Sequence, residues 1–401
     1  MRKIGYVIAP GIGGTSTFFD VLRRSLTKFG WELYGLCTKP IDGLEPTVVR
    51  DFVRFHNGVI IEGDSPVRKS EGLIEICKRM ELFGLLLTDD RIGTATIPHL
   101  PDHVRVIARS SGIKPIGYKL DVYYKSFVEA FVATSLRQQR DLENRYRVEK
   151  EKLWLIPHGV EDFLAGPEIK YRRSDQGLLN LAYVGRLIDR GKGVLLLPKI
   201  LKETVKINEN IQLHIVGSGI DEQKLKKEIQ KNSLDRFCIF HGNKSRQELR
   251  NILALCDILL VPSYYEGFGI SIIEAMSSGI LPLASKIRDV TDWIIKDGFS
   301  GILCKIGDTI DFANKIKYLN KNRGILEEMK LNAREEFLAR FTDAQMAAKY
   351  HKMLTALEGK QYLKKEKGLS QFNSSLCRIP SYRKYVPNRI VNLYSKLQFR
   401  K

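Results

Sequence analysis

Short apolar runs that alternate with helix-patterned stretches constrain this chain more than any other feature. Residues 4–9, 32–37, 59–61, 85–88, 104–108, 131–133 and 153–156 read as strands, and residues 19–29, 73–82 and 135–145 read as helices. Strands that are apolar on both faces are buried on both faces, and their alternation with helices predicts a parallel sheet covered on each side. Residues 162–178 are polar and without period, as suits a linker. The alternation then restarts, with strands at 181–184, 213–216, 238–240, 258–261, 281–284 and 301–304 and helices at 195–204, 221–231 and 246–256. A further helix carries Glu274, and residues 340–357 predict another, with Thr342 as its N-cap. The expectation is an α/β protein of two doubly wound units with a cleft between them.

Composition narrows the class. The 401 residues are too many for one ordinary core, and 43% hydrophobic with 28% charged describes a folded chain. No apolar run reaches the roughly 18 residues that span a bilayer. The opening MRKIGYVIAP reads as a buried strand entering a glycine-rich loop rather than as a signal peptide, which predicts a cytoplasmic chain. The six cysteines form no CxxC pair and read as small core residues. The formal charge is +19, and residues 359–401 hold eleven Lys or Arg against one acid, Glu366. Such a tail seeks anions. Near its end Ile390, Leu393, Tyr394 and Leu397 share one helical face, so an anionic membrane surface is the first expected partner. Packing on the N-terminal domain and a solvated tail are the alternatives. No nucleic-acid motif accompanies the charge.

The chemistry concentrates in SYYEGFGISIIEAMSSG (263–279). Glu266 follows an apolar strand, where open α/β sheets bind ligands. Gly267 and Gly269 allow a close backbone approach, and the N–H groups of Phe268, Gly269 and Ile270 at a helix start suit a phosphate. Glu274 stands about one turn into that helix, and its carboxylate can accept two hydrogen bonds from a ribose diol. A second strand runs into GRLIDRGKG (185–193), which places Arg186 and Lys192 on a glycine loop suited to a pyrophosphate. Gly217 follows a third strand, and Gly11, Gly13 and Gly14 open the other unit without the spacing of a dinucleotide fingerprint. His99 and His103 are separated by Pro101 and support no metal site.

These residues resemble a known family. GRLIDRGKG (185–193), IVGSG (215–219), FHGNKS (240–245), CDILLVPSYYEGFGISIIEAMSSGILPLAS (256–285) and DGFSGIL (297–303) are similar to family 4 retaining glycosyltransferases of the GT-B fold, within glycosyl transferases group 1. IPHGVED (156–162) resembles that family's interdomain segment, and FTDAQMAAKYHKML (341–354) its returning helix. The resemblance implies two Rossmann-like domains facing across a cleft. It implies an N-terminal acceptor domain at 1–165 with the returning helix 342–358, a donor domain at 175–341 and the basic tail 359–401. Arg186 and Lys192 would neutralise the leaving diphosphate, Glu266 would face the transferred sugar, and Glu274 would bind the ribose. Gly185, Gly217 and Asn243 would line the nucleotide, and Gly13 and Gly14 would approach it from the other domain.

The implied reaction moves a hexose-type sugar from a UDP- or GDP-sugar to a hydroxyl of a lipid-linked or polysaccharide acceptor, with retention. It needs no metal and no cofactor beyond the nucleotide sugar. The protein would lie peripherally on the cytosolic membrane face. A nucleotide-sugar epimerase on the same fold and an idle sugar-nucleotide-binding membrane partner are the alternatives. Family members often carry a histidine after an N-domain strand; here residues 104–108 run into Arg109-Ser110-Ser111 instead. Arg109 is therefore a candidate contact for an anionic acceptor, against the simpler expectation of a surface arginine.

Overall fold

The computed structural model describes residues 1–377 apart from 12–13, 40–44, 56, 166–170, 172, 175–176, 207–208 and 366–367. Gly13 and the amphipathic stretch near residue 390 thus lie outside the described residues.

The first sheet has seven parallel strands: β1 (Arg2–Val7), β2 (Trp31–Cys37), β3 (Gly58–Ile60), β4 (Gly84–Leu87), β5 (Arg105–Arg109), β6 (Ala130–Ala133) and β7 (Leu153–Leu155). Their spatial order is β3-β2-β1-β4-β5-β6-β7, with β1 in register against β2 from Arg2↔Trp31 to Val7↔Leu36. The second sheet has six: β8 (Leu179–Val184), β9 (Ile211–Val216), β10 (Cys238–Gly242), β11 (Ile258–Val261), β12 (Leu281–Ser285) and β13 (Ile302–Cys304), in the order β10-β9-β8-β11-β12-β13. In both sheets the order reverses beside the first strand, which opens a crevice at the strands' carboxyl ends. The two doubly wound units expected from the alternation are present.

Local chemistry sets the element ends. Pro198 sits in the first turn of the helix Leu197–Val205, the one place where its missing N–H is harmless. Thr342 caps the helix Asp343–Glu358 in a capping box with Gln345. The stretch 135–145 is not one α-helix: Leu136–Arg140 continues as a wider π turn at Asp141–Arg145. Two long helices, Thr309–Lys321 and Arg323–Arg340, have mixed faces that blur the helical period and escape the sequence reading.

The chain crosses between the sheets twice, and the crossings are stitched together. Val160 N–H donates to Phe341 O at 3.0 Å, and Asp343 N–H to Val160 O at 3.0 Å. The helix Asp343–Glu358 then enters the first core, where Met346, Tyr350, Met353 and Leu357 pack with Phe18, Phe19 and Trp31. Beyond it, the described part of the basic tail lies against the first domain. Arg105 donates to Gln361 O at 2.9 Å, buried Lys365 donates to Val104 O at 3.0 Å, and Arg91 donates to Leu376 O at 2.8 Å. Among the described residues no helix is long and apolar enough to cross a membrane.

Candidate active site between the two domains

Three loops at the carboxyl ends of β8, β9 and β11 build the site. The first two are laced by backbone bonds, Gly185 N–H to Val216 O at 3.0 Å and Leu187 N–H to Ser218 O at 2.8 Å, and Gly217 N–H ties the second to the end of β10 at Gly242 O, 2.8 Å away. Asn243 closes this side, taking a 2.9 Å bond from Ser218 Oγ on its Oδ1.

Gly193 sets the next contact. Its φ is +64°, and a Cβ there would stand 2.2 Å from Pro262 O. Only glycine lets the 185–193 loop settle onto the loop after β11. Tyr264 N–H donates to Gly191 O at 2.8 Å in the same seam. The seam aims Lys192 at Glu266, with Nζ 2.7 Å from Oε1. Ser263 Oγ donates to the same oxygen, also at 2.7 Å. Both contacts fall on Oε1 of a buried carboxylate, and Oε2 takes no hydrogen bond among the described residues. Arg186, on the same loop, is exposed at the mouth.

Gly269 has φ +109° and gives the helix Ile270–Ser277 no side-chain cap. Its first N–H groups are thereby left for a ligand oxygen. Glu274 is buried in that helix, and burial pushes its carboxyl above the usual carboxylate range while Arg246 pulls it back down. Arg246 Nη1 stands 3.4 Å from Glu274 Oε1.

The first domain touches this assembly directly. A Cβ on Gly267 would lie 2.8 Å from both Gly112 Cα and Ser111 O, and one on Gly14 would lie 3.3 Å from Ile270 Cδ1. Gln138 Nε2 donates to Gly267 O at 3.4 Å, and Arg140 pairs with Asp289. Phe268 packs edge-on against His158, ring centroids 5.0 Å apart.

Arg109 is not a surface residue. It is 1% exposed, with its guanidinium carbon 3.8 Å from the Phe18 ring centroid and Nη2 2.9 Å from His158 Nε2. Arginine only donates, so His158 Nε2 accepts and the neutral ring carries its proton on Nδ1. Burial and the adjacent guanidinium together hold the His158 pKa well below the ordinary range.

The floor beside Arg109 holds two carboxylates that the sequence reading overlooked. Ser110 Oγ donates to buried Asp121 at 2.6 Å, and Ser111 Oγ bonds Asp89. Asp89 has φ +48°, the left-handed conformation that aspartate adopts more readily than most non-glycine residues. Burial first, and then the Asp89 charge, raise Asp121 to about 8. The residues now in view are Lys192, Glu266 and Glu274 on one wall, Gly14 and Ser111 on the other, and Gly267 between. Cations, buried carboxylates and helix-start N–H groups are the chemistry that suits a diphosphate, a sugar and a diol.

Residues 170–336 match the family model for glycosyl transferases group 1. The second domain belongs to that family. Lipopolysaccharide 1,2-N-acetylglucosaminetransferase of Salmonella typhimurium is 32% identical over 164 residues, covering 37% of this chain and 42% of that protein. Such curated relatives are matched over 32% to 56% of their own length. Two solved structures extend the likeness to both domains. HepE of Anabaena, solved with UDP, superposes with a TM-score of 0.73 at 14% identity, covering 89% of this chain and 100% of that one. A point mutant of TarM of S. aureus, solved with fondaparinux, α-GlcNAc-glycerol and UDP, gives 0.74 at 13%, covering 88% and 100%. The fold is therefore GT-B, two Rossmann-like domains across a cleft, as the group 1 motifs imply.

Proposed function

We propose that this group 1 chain is a retaining, metal-independent glycosyltransferase of family 4. It would move a hexose-type sugar from a UDP- or GDP-sugar to a hydroxyl of a lipid-linked or polysaccharide acceptor. The observation that carries the reading is the pairing of Lys192 with buried Glu266 at the carboxyl ends of adjacent strands, with buried Glu274 in the helix that follows and the first domain closing over Gly267. The presence of UDP in the HepE and TarM structures supports a uridine diphosphate leaving group.

In this scheme Glu274 binds the ribose diol, the N–H groups after Phe268 hold a phosphate, and Glu266 takes a sugar hydroxyl on its free oxygen. As the bond from sugar to phosphate breaks, charge grows on the leaving oxygen. Lys192 and Arg186 stabilise that charge, and the same phosphate oxygen accepts the proton of the attacking hydroxyl on the retained face. Glu266 has a second task, because its bond to Lys192 fixes where the ammonium stands. Arg109 is kept as a candidate for a negatively charged acceptor group, reached only when the enclosure by Phe18 and His158 opens. The basic tail is assigned to an anionic membrane on the cytosolic side, with residues 378–401 carrying seven Lys or Arg and no acid.

The test is turnover of UDP- and GDP-sugars with lipid-linked and glycan acceptors, with and without EDTA, and NMR of the product's anomeric proton. Retained configuration, insensitivity to EDTA and dependence on an acceptor support the proposal. Acceptor-free interconversion of the donor sugar, or an inverted product, would overturn it.

A further inference from the structure

Arg246 has no place in the scheme so far, and its surroundings give it one. It is the first residue of the helix Arg246–Leu253, whose start is fixed by a capping box between Ser245 and Glu248. From there the guanidinium lies 5.0 Å from the Phe163 ring centroid and reaches two carboxylates. Nη1 is 3.4 Å from Glu274 Oε1, and Nε is 3.4 Å from Glu161 Oε2. Glu161 in turn pairs with Arg24 of the first domain's helix Gly14–Thr27 at 2.8 Å. A chain of alternating charge thus runs from that helix, through the interdomain crossing, to the buried carboxylate of the donor site.

We propose that Arg246 is a positioning residue that fixes the Glu274 carboxylate for the ribose diol of the donor nucleotide; the inference rests on Glu274 being the ribose contact. Among the described residues Arg246 is the one cation within ion-pair distance of Glu274. A vicinal diol donates two hydrogens, so it needs a carboxylate with both oxygens accepting. Burial favours the protonated form, which would present a donor where an acceptor is required. Arg246 opposes that and, being planar and also ion-paired with Glu161, limits rotation of the carboxylate. Like its Nε, its Nη2 is buried and has no hydrogen-bond partner among the described residues. That N–H is left to face a ligand oxygen beside the ribose.

The test compares full-chain binding of a nucleoside diphosphate with its 2′-deoxy form by calorimetry. UDP and GDP are both tried, and the tighter binder is used. The wild type should prefer the ribo form by about tenfold or more, the size of a lost hydrogen bond to a charged group. Glu274→Gln should erase most of that ratio. Arg246→Gln should lower it at least about threefold while weakening the deoxy form little, and Arg246→Lys, which keeps charge without the planar fork, should fall between. A merely structural role for Arg246 would weaken both forms equally, and that outcome overturns the inference. If Glu274→Gln leaves the ratio intact, the ribose assignment fails and the inference with it. Absence of binding by either diphosphate overturns the donor-site reading itself. Thermal unfolding of each variant identifies losses due to misfolding, and Arg246→Lys then carries the comparison.

Discussion

Lys192 Nζ and Glu266 Oε1 stand 2.7 Å apart, so the proposed phosphate cation is held by the proposed sugar-binding carboxylate. The pairing makes their effects dependent on each other. Lys192→Ala should lower kcat by about 10²–10³, the loss typical of removing one donor to a developing oxyanion. Glu266→Gln should also lower kcat, because it both weakens a sugar contact and frees Lys192. The double variant should lose less than the product of the single losses, as coupled residues do. Steady-state kinetics of the four proteins checks this, and strict multiplicativity would refute the coupling.

A second prediction concerns the seam beneath that pair. Gly193→Ala places a methyl 2.2 Å from Pro262 O at a left-handed backbone position. The loop must then lift from the 262–266 segment and carry Lys192 with it. We expect a stability loss of about 1–3 kcal/mol by chemical denaturation. The fall in kcat should be larger than that of Gly324→Ala, whose Cβ meets nothing within 4 Å.

How much of this was legible beforehand depends on whether the signal was local. The strand-turn-helix context of Glu266 and Glu274 is written in adjacent residues, and so is the glycine spacing around Lys192. The role of Arg246 is not, because it comes from helix Arg246–Leu253 reaching a carboxylate 28 positions on. Arg109 misled for a related reason. An arginine that follows an apolar strand and precedes two serines has the local look of a surface residue, and only the packing of Phe18 and His158 around it reveals its burial. Asp89 and Asp121 likewise meet only because β4 and β5 are neighbours in the sheet.

The tail's attachment gives a third prediction. Lys365 is 4% exposed, pairs with Glu129 at 3.2 Å and donates to Val104 O. Burial raises the Glu129 pKa, and Lys365 is the largest influence pulling it down. Lys365→Met leaves that carboxylate buried beside Arg105, 3.9 Å away, as its remaining ion-pair partner among the described residues. Removing one member of a buried pair costs about 3–5 kcal/mol. Lys365→Met should therefore lower Tm markedly, and adding Glu129→Gln should restore part of the loss. No recovery in the double variant would show that the tail is held by other contacts.

Asp121 supplies a pH dependence whose direction is fixed. Its carboxyl is raised to about 8 in the folded protein, by burial and then by Asp89, from an ordinary value of 3.8. The folded state therefore binds this proton more tightly than the unfolded chain does, so stability attributable to Asp121 is complete below about pH 4. It declines as the pH climbs toward and through 8. Asp121→Asn keeps an oxygen for Ser110 Oγ, which donates at 2.6 Å, while removing the titration. Melting temperatures of the two proteins, measured from pH 5 to 9, should diverge as pH rises, with the variant losing less stability than the wild type. The two curves would run parallel if Asp121 were ionised in the fold throughout that range, and the assignment of a protonated carboxyl beside Asp89 would then be wrong.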